Sequence, residues 1–445
     1  MIEMKNKPRA AVLTLGCKVN QFESAALAES LRAAGYEVTA GPSGADLVVL
    51  NTCTVTQKAD QEALSLLRRL RRSAPEARLV VTGCLAEADP ELLTAAGLAD
   101  LVLGQAEKNR LVSRLAAWSD ESGPAAAEPA GRPGLDFMAP LSERTRAFYK
   151  IQDGCSAGCA YCAVPRARGP ARSLELDQVL TGLRSYLGRG VAEVVLCGIH
   201  LGRWGLDLAP PLSLAELLHI LDGELELSAE SFRLRLSSLE PLEAVDELLA
   251  AFEMYDWLAP HFHLPLQSGS DRVLELMGRP YRRADFQRLL EKLNRAWPLA
   301  SLGTDVMAGF PGETEADFQD TLELLADLPL SYFHIFPYSP RPGTKAAAWP
   351  GQVPEHLKRR RTTELKKADQ LARRNFSRLN WGTAQSGLVE NTPHQSSGRL
   401  KVLTGNYLAA LLPPGLKIQP GRLLPVTLAP PANPWGLLEA SVSLA

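Results

Sequence analysis

The chain has 445 residues, 46% apolar and 22% charged, with a formal charge of −2, long enough for two to four domains with separate cores. No apolar run reaches the ~18–20 residues of a membrane span, and the short run at 10–16 leads into polar Lys18-Val19-Asn20-Gln21, which reads as a strand and not a signal peptide. Seven cysteines without a secretory signal argue against a disulfide scaffold and for a cytoplasmic, reducing location.

Apolar runs at 11–16, 47–52 and 79–83 are each followed at once by a cysteine, Cys17, Cys53 and Cys84. Segments 24–34 and 59–72 between them carry apolar residues at helical spacing. The intervals of 36 and 31 residues match βαβ units, so a parallel sheet is expected, with all three thiols at its carboxyl edge, where such sheets place their sites. Free cysteine is also a favoured buried residue. Three at equivalent strand ends, with Gly16 and Gly83 leaving room beside two of them, favour a shared metal site. A fourth strand at 100–104 fits the same sheet, giving an N-terminal domain over 8–117, and the Pro/Gly/Ala-rich 118–140 reads as a linker.

The central stretch Gly154-Cys155-Ser156-Ala157-Gly158-Cys159-Ala160-Tyr161-Cys162 puts three thiols within eight residues. Three ligands without a local fourth leave one metal position open, as catalytic centres require. A zinc knuckle that borrows His200 is the competing reading. The Cys-x3-Cys-x2-Cys pattern resembles the radical S-adenosylmethionine enzymes. That resemblance implies a 4Fe–4S cluster on Cys155, Cys159 and Cys162, with S-adenosylmethionine on the free iron as the source of a deoxyadenosyl radical. Thr14-Leu15-Gly16-Cys17-Lys18-Val19-Asn20-Gln21-Phe22-Glu23-Ser24, Asn51-Thr52-Cys53 and Thr82-Gly83-Cys84 resemble the N-terminal domain of the methylthiotransferases. There the equivalent cysteines hold a second 4Fe–4S cluster associated with the inserted sulfur. The wording after Gly16 is most similar to the branch acting on threonylcarbamoyladenosine in tRNA.

Residues 141–353 alternate six strands (147–152, 192–197, 233–237, 261–266, 302–308, 332–336) with helices at 176–187, 214–222, 244–252, 284–297 and 315–325. The pattern predicts an incomplete parallel (β/α)6 barrel with its active residues on the loops leaving the strands. Among those loops Gly198, Ser237, Glu240 and Gln267 are candidate S-adenosylmethionine contacts. Cys197 lacks a partner and is expected in the core, while His200, His261, His263 and His334 carry no assigned role.

Residues 354–378 form a helix with an apolar stripe (Leu357, Leu365, Ala368, Leu371, Ala372, Phe376) and a basic opposite face. From 355 onward the chain carries +8, leaving −10 for the rest, an asymmetry that suits a polyanion docking at the C-terminal end. Residues 379–445 break into short strands with Gly and Pro, a small antiparallel barrel. Its Thr404-Gly405-Asn406-Tyr407 piece resembles the TRAM domain that methylthiotransferases use on tRNA, although basic residues are few. The expected fold class is therefore α/β: a parallel sheet domain, a partial radical S-adenosylmethionine barrel and a TRAM-like β-barrel. The expected activity is 2-methylthiolation of threonylcarbamoyladenosine beside the anticodon, with electrons from a flavodoxin or ferredoxin. The same chemistry on isopentenyladenosine or a ribosomal-protein aspartate, and a non-catalytic iron–sulfur RNA binder, are the alternatives.

Overall fold

A computed structural model describes residues 7–95, 97–119, 140, 145–433 and 436–442, so the 118–140 linker lies almost wholly outside the described residues. The N-terminal sheet has five parallel strands in the order β2 (Glu37–Thr39), β1 (Arg9–Thr14), β3 (Leu47–Thr52), β4 (Arg78–Gly83), β5 (Leu101–Leu103). β3 is buried at every position, as a strand covered on both faces must be. Its alternate side chains serve different layers. Leu47 and Val49 meet α1 (Lys18–Ala33) and α5 (Leu111–Ser119), whereas Val48 and Leu50 meet α2 (Gln57–Ser73) and the short α3 (Cys84–Ala88) and α4 (Pro90–Ala95). β2 escapes a periodicity reading because three edge residues, one exposed and two half-buried, are too few to carry a pattern.

The second unit runs β6 (Ala147–Lys150), β9 (Glu193–Cys197), β10 (Arg233–Leu236), β11 (His261–His263), β12 (Ser301–Ala308) and β13 (Tyr332–Pro337), all parallel neighbours in that sequence. Bridges Leu234↔Leu258 and Ser238↔His263 join its two halves into one curved sheet. A two-residue ladder of β7 (Gln152–Asp153) and β8 (Arg172–Ser173) folds over the top, flanking α6 (Val164–Arg168). Helices α7 (Leu176–Gly188), α8 (Leu214–Glu224), α9 (Asp246–Met254), α10 (Asp271–Met277), α11 (Arg283–Ala296) and α12 (Glu315–Asp327) follow the strands. Val194, Leu234, Phe262, Leu302 and Val306 point outward into a core shared with these helices. Cys197 belongs to that core, as expected.

The long helix α13 (Glu355–Leu379) departs in two ways from the expected amphipathic face. Lys358 and Arg361 on its basic side are buried, Arg361 pairing with Glu313 at 2.7 Å, and Leu371 of the apolar stripe is 57% exposed. The terminal barrel closes in the order β14 (Ala384–Val389), β15 (Lys401–Thr404), β16 (Ala409–Leu411), β18 (Leu438–Val442), β17 (Leu423–Ala429). It is not wholly antiparallel, because β16 and β18 pair in parallel to close the ring. Arg233 and Arg235 of β10 hold it from below, donating to the carbonyls of Ser386, Leu403 and Gly405 at 2.7–2.9 Å. Glu193 lies between those two arginines. Burial alone pushes its carboxyl up, but Arg235, Arg233 and Arg146 outweigh that and set it at about 2. Among the described residues no helix is long and apolar enough to cross a membrane.

Candidate active site

The three N-terminal thiols stand where strand ends meet helix starts. Cys17 is the N-cap of α1, Cys53 follows β3, and Cys84 opens α3. Two glycines make this packing possible. Gly16 has φ +107° and a Cβ there would lie 2.6 Å from Cys53 Cβ, while Gly83 has φ +98° and a Cβ would meet the Thr52 carbonyl at 2.3 Å. Any L side chain at either place forces the loops apart. Burial, then the neighbouring Cys84 and Cys17 sulfurs, pushes the Cys53 thiol up to about 12. Burial raises Cys84 as well, and Gln105 Nε2 lies 3.5 Å from its sulfur.

The central loop is pinned at several points. Cys155 N donates to the Gly169 carbonyl at 3.1 Å, Ala160 N to Met277 at 2.9 Å, and Cys162 N to Cys159 at 3.2 Å. Gln152 ties this loop to the next one, accepting from His200 N at 2.7 Å and donating to the Asp153 and Gly154 carbonyls. Cys155 Sγ lies 3.4 Å from His200 Nδ1, and His200 Nε2 lies 2.6 Å from Glu243. Burial lowers the imidazole, but hydrogen bonds to Cys155 and Glu243 prevail and raise it to about 9. Burial likewise raises the Cys155 thiol, and its two hydrogen bonds, one with His200 and one from the Ala157 N–H, turn the balance downward. Cys162 is pushed up to about 12 by burial, with Cys159 and Cys155 adding to the effect. Arg279 Nη1 approaches Cys159 Sγ at 3.4 Å and its other nitrogen pairs with Glu240.

The candidate contact residues differ among themselves. A Cβ on Gly198 would press on Gln152 at 2.8 Å, so that glycine accommodates the tie between the loops. Ser237 is buried, and its hydroxyl has no hydrogen-bond partner among the described residues. Gln267 is held at φ +69° by backbone bonds to both Asp305 and Met307. It lines a cavity of about 180 Å³ that also has Cys84 on its wall and Cys162 beside Tyr161, Met307 and Phe336. One chamber thus receives a thiol from each triad.

Residues that the sequence reading left unassigned fasten the two units around this chamber. Arg168, six positions beyond Cys162, donates to Glu23 at 2.9 Å and Asn20 at 2.7 Å on α1, and to Asp153 at 2.9 Å. Lys108 and Lys150 also reach Glu23, at 2.6 and 2.9 Å. Across the chamber Arg341 bonds Thr54 and Asp60 of the N-terminal unit. The only local signal is a pair of arginines at 166 and 168 after the cysteine motif, and the α1 partners of Arg168 lie more than 140 residues away in sequence.

The fold and the open three-thiol loop define a radical S-adenosylmethionine protein. Consistent with that, the Radical SAM superfamily model matches residues 149–325, and the model described as uncharacterized protein family UPF0004 matches 9–104. Among solved structures, the radical S-adenosylmethionine methyltransferase TsrM from Kitasatospora setae superposes with TM-score 0.54 at 17% identity, covering 76% of this chain and 77% of that one. The threonylcarbamoyladenosine tRNA methylthiotransferase MtaB of Aquifex aeolicus is 38% identical over 90% of this chain and 95% of its own length. Its Bacillus subtilis counterpart is 37% identical over 81% and 80%. The tRNA-2-methylthio-N(6)-dimethylallyladenosine synthase of Vibrio parahaemolyticus is 34% identical over 89% and 84%. The chain belongs to the radical S-adenosylmethionine methylthiotransferase family.

Proposed function

We propose that this protein converts threonylcarbamoyladenosine next to the anticodon of tRNA into its 2-methylthio derivative. The observation that carries the reading is the single chamber bordered by Cys84 of one triad and Cys162 of the other. Its aromatic and aliphatic walls suit a flat base swung out of a loop.

Three thiolates in each triad match a cluster with one iron left for another ligand, and the unpartnered Ser237 hydroxyl suits a nucleoside cofactor beside the central loop. Cys155, Cys159 and Cys162 would hold one 4Fe–4S cluster and Cys17, Cys53 and Cys84 the other. Together with S-adenosylmethionine these groups supply the radical, the sulfur and the methyl group. The residues of the chain do the rest. Gln152 fixes the cluster loop against the His200 loop, and Arg279 places positive charge beside Cys159. Gly198, Ser237, Glu240 and Gln267 border the cofactor and the base, while Arg168 and Arg341 keep water out by closing the junction. Exposed Arg359, Lys366, Lys367 and Arg378 on α13 offer phosphate contacts, which supply most affinity for nucleic acid. A flavodoxin- or ferredoxin-like donor would supply electrons in the cytoplasm.

Nucleoside mass spectrometry of tRNA from cells with and without the gene tests the substrate. Loss of 2-methylthio-threonylcarbamoyladenosine is expected, and loss of a different methylthio nucleoside overturns the assignment. Anaerobically reconstituted protein is expected to hold about eight irons per chain, falling to about four when Cys17, Cys53 and Cys84 are replaced by alanine.

A further inference from the structure

The lumen of the barrel holds a connected set of polar side chains that the chemistry above does not use. On β12, Leu302 and Val306 face the outer core, so Asp305 and Met307 face inward, and both line the chamber. Asp305 pairs in register with His334 of β13, and His263 ends the adjoining β11. Asp305 Oδ1 lies 2.9 Å from His263 Nε2 and 3.2 Å from His334 Nδ1. Behind them Tyr332 OH sits 3.0 Å from His263 Nδ1 and 2.8 Å from His261 Nε2. Gly303 makes room for this tyrosine, because a Cβ there would fall 2.2 Å from its ring.

The partners assign the protons. His261 is buried and its Nδ1 has no partner among the described residues. A bare ring N–H in such a place is costlier than a bare lone pair, so its proton sits on Nε2 and points to Tyr332. The tyrosine hydroxyl then donates to His263 Nδ1. That leaves His263 Nε2–H for Asp305, and His334 Nδ1–H for the same oxygen. Reversing the chain would set the bare Nε2 of a neutral His263 against a carboxylate oxygen. Two imidazole donors on Oδ1 keep Asp305 ionised, well below the usual carboxylate range despite its burial. Among the described residues no protein donor meets Oδ2. An oriented anion with one oxygen spoken for therefore borders an apolar chamber, and it has acceptor capacity and nothing to donate.

Resting on the substrate reading above, we infer that Asp305, held by His263 and His334, accepts the N6–H of the adenosine in the chamber and determines which N6-substituted bases are taken. The reacting carbon C2 and the N6 nitrogen are separated only by N1 and C6, so one base can meet the thiol-bearing walls and Asp305 together. A mono-substituted N6 keeps one hydrogen for the carboxylate. A fully substituted N6 has none and leaves a buried anion without its partner.

The test uses the full chain and two anticodon stem–loop RNAs, one carrying N6-threonylcarbamoyladenosine and the other the same base with the N6 hydrogen replaced by methyl. Binding is measured by fluorescence anisotropy, which does not depend on turnover. The wild-type protein should bind the first RNA roughly 10- to 100-fold more tightly, the range for one hydrogen bond to a charged group. Asp305→Ala and Asp305→Asn should lose that preference, bringing the ratio close to one. A ratio that survives in both variants reflects steric exclusion of the methyl group and overturns the role of Asp305. Equal wild-type binding of the two RNAs, each tighter than an unmodified stem–loop, overturns it too but leaves the substrate reading standing. Binding of neither above the unmodified stem–loop overturns both. The wild-type comparison holds whatever the folding of the variants.

Discussion

Replacing Glu23 by glutamine keeps the shape of the junction and removes one charge from its centre. Glu23 is 2% exposed at its side chain and receives Lys108 at 2.6 Å, Lys150 at 2.9 Å and Arg168 at 2.9 Å. Among the described residues Asp153 is the other carboxylate within reach, bonding Lys150 at 3.1 Å and Arg168 at 2.9 Å. With Glu23 neutral, Asp153 is the one carboxylate among the described residues left to face these three buried cations. Breaking a buried ion pair from one side costs about 3–5 kcal/mol, equivalent to roughly a 100- to 5,000-fold change in an opening equilibrium. Hydrogen-exchange mass spectrometry should show that loss of protection in α1 and in the segment from β6 to α6, with the outer barrel helices little changed. The pH dependence has a definite sign. Burial raises the Glu23 carboxyl, but Arg168, Lys108 and Lys150 outweigh it and hold it well below its ordinary value. Its contribution is complete above the unfolded value of about 4.3 and is lost as pH falls through the depressed folded value. The difference between wild type and variant should therefore be full at pH 7 and close in strong acid. Equal protection at pH 7, or a gap that widens on acidification, refutes the reasoning.

In reduced, metal-free protein at pH 8, iodoacetamide should modify Cys155, whose thiol His200 favours as thiolate, well before Cys162, which burial raises to about 12. Peptide mass spectrometry gives the order, and the reverse order contradicts the geometry. Gly303→Ala should lower the thermal midpoint by driving a methyl into the Tyr332 ring, an overpacking cost of about 1–3 kcal/mol. Tyr407→Ala removes a ring stacked on His261 at 4.6 Å and overlain by Arg235. It should expose the connection near Asn380 to proteolysis, at a cost of about 1–3 kcal/mol. Unchanged cleavage would show that the arginine–carbonyl bonds suffice without it.

Local pattern carried the strands. The runs at 47–52 and 79–83 are apolar because helices cover both faces, and short βα connections left the carboxyl edge as the place for Cys17, Cys53 and Cys84. The six barrel strands were legible for the same reason. What escaped depends on partners distant in the chain. Nothing near Arg168 announces Glu23, and Asp305 looks like an ordinary strand aspartate until β11 and β13 bring a histidine to each side of it. Lys358 and Arg361 read as solvent-facing because helical periodicity cannot register a buried Glu313 opposite. The parallel closure of β16 on β18 was equally out of reach, since a ring of short strands admits several orders with one hydrophobic pattern.

Tyr407 enters the barrel from beneath with φ +68°, while Asn406 bonds the Leu299 carbonyl at 2.7 Å. The small terminal module thus stoppers the lower end of the barrel. A chain cut before Trp381 would leave a water-filled shaft leading up past His261 toward the reaction chamber, so truncation should spoil the dryness on which radical chemistry depends even when the substrate is a free nucleoside.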